Sequence, residues 1–363
     1  MLKQARIRSE STVEQYSKRK ATEGYDLWDK DYPLSALRFF IFKAETALPY
    51  QQGQLLDAVA ELSAQLGSKE DARETYFVAA DKYRITQQPL LTELMQVKMT
   101  EMDTTAGEAL AALLELLRKN DPDGSASAAA GAAEAKRRSG LARCYAYLAE
   151  LYLTAPPATG EDERAAATRA VEAATRAVAA GTGCWDRVHT AYNVLGEALE
   201  NVGDLPRAEE AFATAATLCP HYVEALERLI SLCEAKQDDA DAAAHRALRE
   251  HHLQLLERLL AAHPRADRVR EKAFLVSELQ GDAAALAYLD DAIARGPPQE
   301  EMESFGVASA AARATLHKAR AAILADGGRL GEALAAAQAA LAADANDEEA
   351  QKLMTDIQGA MKE

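Results

Sequence analysis

An all-α fold is predicted for this chain: an α-solenoid, or superhelix, of about eight helix-turn-helix repeats with a C-terminal capping helix. Three observations predict it. At 363 residues the chain exceeds what one compact core usually holds, so two domains or an elongated array is expected. Hydrophobic residues make up 48% of it but aromatics only 6%, so much of the apolar content is alanine, which forms helices and lets them approach closely. Single glycines, Gly-Asp pairs and prolines recur at similar intervals, as turns between paired helices require.

The unit is clearest in TAYNVLGEALENVGDLPRAEEAFATAATLCP, residues 190–220. Leu195, Leu199 and Val202 form one helical stripe, and Ala208, Phe212 and Ala215 form a second that faces it. Small Gly196 and Ala208 let the two helices come close. Gly203 suits the turn, and Pro220 stops the second helix. The order Tyr192, Leu195, Gly196, Leu199, Gly203-Asp204, Ala208, Phe212, Ala215, Pro220 resembles the tetratricopeptide (TPR) family, a 34-residue helix-turn-helix unit, here residues 189–222. Tyr192 stands where that family usually has tryptophan, and Leu199 where it usually has tyrosine.

One such unit cannot bury its own apolar face, so neighbours are required. In chain order, 17–49 offers Gly24, Tyr32, Ala36, Phe40 and Pro49, and 53–86 offers Gly67, Ala72, Tyr76 and Ala79. Residues 91–122 are a degenerate copy carried by Leu94, Val97, Leu110, Leu114, Leu117 and Pro122. Residues 142–182 open on Tyr145, Leu148, Ala149 and Tyr152, with the insertion APPATGEDE lengthening the turn. After the best copy come 223–264, with both helices extended, then 267–298 with Gly281, Asp282 and Pro298. Residues 314–345 carry Gly328, Ala333, Ala337 and Ala340, and DEEAQKLMTDIQGAMKE reads as the cap. The stretch 119–140 is poor in large apolar residues and reads as a flexible linker or loop. It would separate an N-terminal block, 1–118, from a C-terminal block, 141–363. Its cluster Lys136, Arg137, Arg138 reads as a solvated loop or helix end, with docking as the alternative.

Several function classes are disfavoured. The net charge of −16 opposes binding to nucleic acid or to anionic membranes. No run of apolar residues is long enough to span a bilayer. Cys144, Cys184, Cys219 and Cys233 are scattered as in a reduced compartment. The basic N-terminus lacks the apolar segment of a secretory signal, so a cytoplasmic setting is expected. Phosphate-binding loops, a nucleophile elbow and a zinc-protease motif are missing, so no catalytic residues and no cofactor are expected. His245 and His252 share a helix face, with His251 pointing elsewhere, but no cysteine or carboxylate completes a metal site at sequence spacing.

What the TPR resemblance implies is a non-enzymatic protein-binding scaffold. In that family the first helices of successive repeats line a concave groove in which partners dock as extended peptides or helices. The candidate groove residues are Asp57 and Glu61, Glu150, then Asn193, Glu197, Glu200 and Asn201, then Glu227 and Glu234. The family's carboxylate clamp needs lysine, asparagine and arginine on successive first helices. Here Glu197 stands where that asparagine would be, which disfavours chaperone C-termini. An acidic groove instead fits a partner segment bearing lysine or arginine. The expected role is a subunit of a larger assembly such as a ciliary or cytoskeletal complex. The alternative is a vesicle-coat subunit, since 203–264 is weakly similar to the epsilon subunit of coatomer. An RNA-binding helical repeat would need a basic groove.

Overall fold

The computed structural model describes residues 20, 22–122, 131–155, 163–237, 242–296 and 305–362. The basic segment 1–19, the middle of the 119–140 stretch and most of the APPATGEDE insertion lie outside the described residues. Seventeen helices are found among the described residues, in the order of eight pairs and one last helix. They fall into two compact units, 1–225 and 226–363.

The first unit contains α1 (Thr22–Asp29), α2 (Pro33–Thr46), α3 (Pro49–Gln65), α4 (Lys69–Ile85), α5 (Pro89–Asp103) and α6 (Ala106–Asn120). It continues with α7 (Ala132–Thr154), α8 (Glu163–Gly181), α9 (Val188–Val202) and α10 (Leu205–Leu218). Helix α11 (Val223–Gln237) runs across the junction. The second unit holds α12 (Ala242–Ala262), α13 (Ala266–Gln280), α14 (Asp282–Arg295), α15 (Phe305–Asp326), α16 (Leu330–Ala343) and α17 (Glu348–Ala360). From α1 to α10, and again from α12 to α17, successive helices pack on one another, as stacked hairpins do. First helices of neighbouring hairpins also touch: α5 meets α7 and α7 meets α9 in the first unit, and α13, α15 and α17 do the same in the second.

Local chemistry fixes the hairpins. Pro33 and Pro89 open α2 and α5, where the missing N–H is not needed. The Thr105, Asp204 and Asp347 side chains accept from the backbone N–H three residues on and so cap α6, α10 and α17. In the α9–α10 turn Gly203 takes φ 89°, a left-handed conformation open to glycine at little cost. At Gly196 the reason for glycine is space: a Cβ there would lie 2.5 Å from Phe212 Cε1. Ala208, Phe212 and Ala215 are fully buried against α9, as the stripe predicts. Helix α8 shows why the chain is alanine-rich. Its buried side is Ala166, Ala167, Ala170, Ala173, Ala174, Ala177 and Ala180, which lets long neighbouring helices pack without bulky knobs.

The expected division at 119–140 does not interrupt the core. Leu113, Leu116 and Leu117 of α6 share one apolar cluster with Leu141, Cys144 and Leu148 of α7. Asp121 is buried and accepts from the Tyr145 hydroxyl at 2.8 Å. Lys136, Arg137 and Arg138 lie on α7 rather than in a loop. Arg137 donates to the Asn120 carbonyl and pairs with Glu134. Arg138 donates to the carbonyls of Ala179 and Thr182, which the end of α8 leaves without helical partners. No cis peptide and no disulfide is present among the described residues, and all four cysteines are free thiols. No described helix is long and apolar enough to cross a membrane.

Candidate functional site

The first helices of the first unit present a polar face whose floor is already occupied by charge pairs. On α3, Asp57 is 1% exposed, and it is ion-paired with Arg143 of α7. The Tyr83 hydroxyl accepts from Arg143 Nη1 at 3.2 Å and donates to Asp57 Oδ2 at 3.4 Å. Lys98 of α5 is buried, bonded to Glu61, 3.7 Å from Asp57 Oδ1, and seated over the rings of Tyr76 and Tyr147 at 5.4 and 5.3 Å. Burial alone would depress the ammonium's pKa, but Glu61 and the surrounding hydroxyls hold it above the ordinary lysine range. The Tyr147 hydroxyl in turn donates to Glu101. Asp57 and Glu61, two of the expected groove acids, are thus engaged within the protein. Both serve internal cations, because leaving Lys98 and Arg143 unpaired in the interior would cost several kcal/mol, on the order of 3–5.

Glu150, two turns along α7 from Arg143, differs. Its side chain reaches solvent and makes no ion pair among the described residues. Its pKa is pushed up to about 8 by the crowding of protein around it and by the carboxylates of Glu61, Glu224 and Glu197, with Lys98 opposing them. These carboxylates come from α3, α11 and α9, so the face gathers negative charge from successive first helices. Folding thus keeps a proton on Glu150 that the unfolded chain releases between about pH 4.5 and pH 8. Stability attributable to this group is fully present below about 4.5 and is lost as pH rises through about 8. Glu150→Gln should match the parent near pH 4.5 and exceed it at pH 9 by about 1–2 kcal/mol, the full shift being discounted for solvent contact. Urea denaturation at the two pH values measures this, and an equal difference at both would contradict it.

On α9 the Asn193 amide is buried and donates to Glu197 at 3.2 Å. Glu197 and Glu200 are half-buried, and Asn201 is exposed at the end of the helix. Glu227 and Glu234 belong to the second unit. Glu227 accepts from Arg268 at 3.2 Å, and Glu234 lies 3.9 Å from His252. His252 is buried and bonded to Glu271 at 2.8 Å, so carboxylates do approach it, from α11 and α13 rather than from its own helix. Arg268 binds the same Glu271, and the set reads as an ion-pair cluster. The second unit also holds a pocket of about 190 Å³ between Val269, Tyr288, Ile293, Leu316 and His317.

Helix α1 was not among the expected groove features. Gly24 lies against Phe39 and Phe40, Tyr25 packs edge-on to Phe40, and the Trp28 indole donates to Gln65. From there the helix reaches far along the chain. Arg187 lies 4.8 Å from both the Tyr25 and Trp28 ring centres and 3.0 Å from Asp29 Oδ1. His189 and Cys219 also approach Asp29, and His221 approaches Asp26 at 3.5 Å. Periodicity could not reveal these contacts, since it shows which residues face inward but not which distant helix they meet.

No protein-family profile matches the chain, and no curated protein sequence matches it. Among solved structures it is similar to the APC/C hetero-tetramer Cut9–Hcn1, at 16% identity over 95% of this chain and 58% of that one, with a TM-score of 0.40. The chain thus spans little more than half of that protein. It is also similar to the C-terminal part of a TPR repeat-containing protein from Cytophaga hutchinsonii, at 11% identity over 92% of this chain and 99% of that one, TM-score 0.38. A third is a tetratricopeptide repeat protein from Parabacteroides merdae, at 14% identity over 85% of this chain and 99% of that one, TM-score 0.34.

Proposed function

We propose that the chain is a non-enzymatic scaffold whose first-helix face, in the first unit, takes a lysine- or arginine-bearing segment of a protein partner. The observation that supports this most is Glu150. Its carboxylate is exposed on α7, and the negative charges of Glu61, Glu224 and Glu197 act on it, so a cation arriving beside it is favoured. Lys98 and Arg143 lie deeper and are engaged with Asp57 and Glu61, so they neutralise the floor beneath Glu150. The same acids oppose an RNA backbone.

Fluorescence anisotropy with a labelled Lys/Arg-rich peptide, an acidic peptide of equal length and a single-stranded RNA tests the proposal. The basic peptide should bind, more weakly as salt rises, and the other two should not. Glu150→Lys with Glu197→Lys should weaken binding at least about 10-fold, as expected when charge-assisted contacts are reversed. Glu227 is left intact, since it already pairs with Arg268. Unchanged binding by the double variant, or preference for RNA, overturns the proposal. At the level of assemblies, a ciliary or cytoskeletal complex, with a vesicle coat as the alternative, rests on the sequence alone. Mass spectrometry of complexes captured on the intact chain tests it.

A further inference from the structure

We propose that Asp29, His189 and Cys219, with His221 at the mouth, form a binding site for a divalent transition-metal ion of the zinc class, which fastens helix α1 to the α9–α10 hairpin. The donors come from three places in the first unit: the end of α1, the start of α9 and the residue that ends α10. Donor atoms of Asp29, His189 and Cys219 all lie within 4.8 Å of one another, and all three residues are buried. Asp29 Oδ1 is 3.4 Å from His189 Nε2, Asp29 Oδ2 is 3.7 Å from Cys219 Sγ, and Cys219 Sγ is 3.5 Å from His221 Nε2. A tetrahedral ion with bonds of about 2.0 Å to nitrogen or oxygen and about 2.3 Å to sulfur separates its ligands by roughly 3.3–3.5 Å. The cluster is already close to that size.

A second observation points to a ligand. Asp29 and His189 are each 5% exposed, yet Asp29 Oδ1 and His189 Nε2 have no hydrogen-bond partner. Asp29 Oδ1 has the Arg187 charge beside it but no aligned hydrogen bond, and His189 Nε2 faces it at 3.4 Å, so an ion between the two would satisfy both at once. One oxygen, one sulfur and imidazole nitrogen together are a donor set that suits zinc better than magnesium or calcium, which take oxygen ligands. Arg187 is the competitor, with Nη2 3.0 Å from Oδ1 but out of hydrogen-bond alignment. Its guanidinium also has the Tyr25 and Trp28 rings at 4.8 Å, a cation–π seat it can keep when the carboxylate turns to the metal.

The test uses the full chain, purified through chelator and then titrated with Zn(II) in competition with a chromophoric chelator. Co(II) is titrated separately and followed by absorption. The expected results are one tightly held equivalent of zinc, a cobalt spectrum with the intense near-ultraviolet band of a thiolate ligand, and slower proteolysis within α1 when metal is bound. Cys219→Ser should lower zinc affinity about 100-fold and remove the thiolate band, and the half-exposed His221→Ala should lower affinity about 10-fold. His252→Ala, at the second acidic cluster, should change nothing. Binding of zinc without a thiolate band in the unmodified chain overturns the site, as does undiminished binding by Cys219→Ser. The cobalt reading needs no variant to fold, so loss of stability in Cys219→Ser leaves the test intact. Failure here leaves the peptide-binding proposal standing, because Glu150 and its neighbours contribute no ligand.

Discussion

Asp57→Ala should destabilise the first unit by about 3–5 kcal/mol, the usual consequence of removing one partner from a buried ion pair. Asp57 lies between two cations, paired with Arg143 and 3.7 Å from Lys98, and has almost no contact with water. Among the described residues its loss leaves Arg143 hydrogen-bonded to the Tyr83 hydroxyl alone, while Lys98 retains Glu61. Asp57→Asn keeps the shape and can still accept one bond, so its cost should be smaller, about 1–3 kcal/mol. Glu61→Ala should cost less than Asp57→Ala, because Glu61 is a third exposed. Urea denaturation orders the three variants. If Asp57→Ala were the mildest of them, the buried network described for α3, α5 and α7 would be wrong.

Gly196→Ala is the second large effect, and its sign decides between two opposing terms. In a helix interior alanine is favoured over glycine by about 1 kcal/mol. Here the new methyl would stand 2.5–2.7 Å from three atoms of the Phe212 ring, which is fully buried and cannot swing away. Overpacking of that kind costs about 1–3 kcal/mol, and more for Val, so the variant should be destabilised by up to about 2 kcal/mol net. Gly359→Ala in α17 is the control, since a Cβ there meets nothing within 4 Å. It should be neutral or slightly stabilising. Adding Phe212→Leu to Gly196→Ala should recover part of the loss, and thermal melts report all of these. Equal shifts for Gly196→Ala and Gly359→Ala would show that close approach of α9 and α10 is not why glycine stands at 196.

Residues that obey local rules were legible in the sequence. Gly196, Gly203, Ala208, Phe212 and Pro220 act within one hairpin, so their spacing announces their roles before any fold is seen. The eight pairs and the last helix follow from the same grammar. The polar interior was less legible. Lys98 sits in the run LLTELMQVKMTEM and is buried, and its partner Glu61 is 37 positions away. Arg143 meets Tyr83 across 60 positions, and Asp29 meets Cys219 across 190. Periodicity shows that Asp57 and Glu150 both lie on first helices. It cannot show that a buried arginine claims one and that the other faces water. Charge at these positions was foreseeable. Its division between interior pairs and an open face depended on side chains from other helices.

The most direct measurement is calorimetry of a Lys/Arg-rich peptide binding to the full chain at pH 7, repeated in buffers of different ionisation enthalpy. With the Glu150 pKa raised to about 8, an arriving cation favours its ionised form, so binding should release protons at pH 7 and tighten as pH rises from about 6 to 9. Glu150→Gln should still bind, more weakly and without the release. Binding that is independent of pH, releases no proton and is indifferent to Glu150→Gln would contradict the assignment of this face to a basic partner.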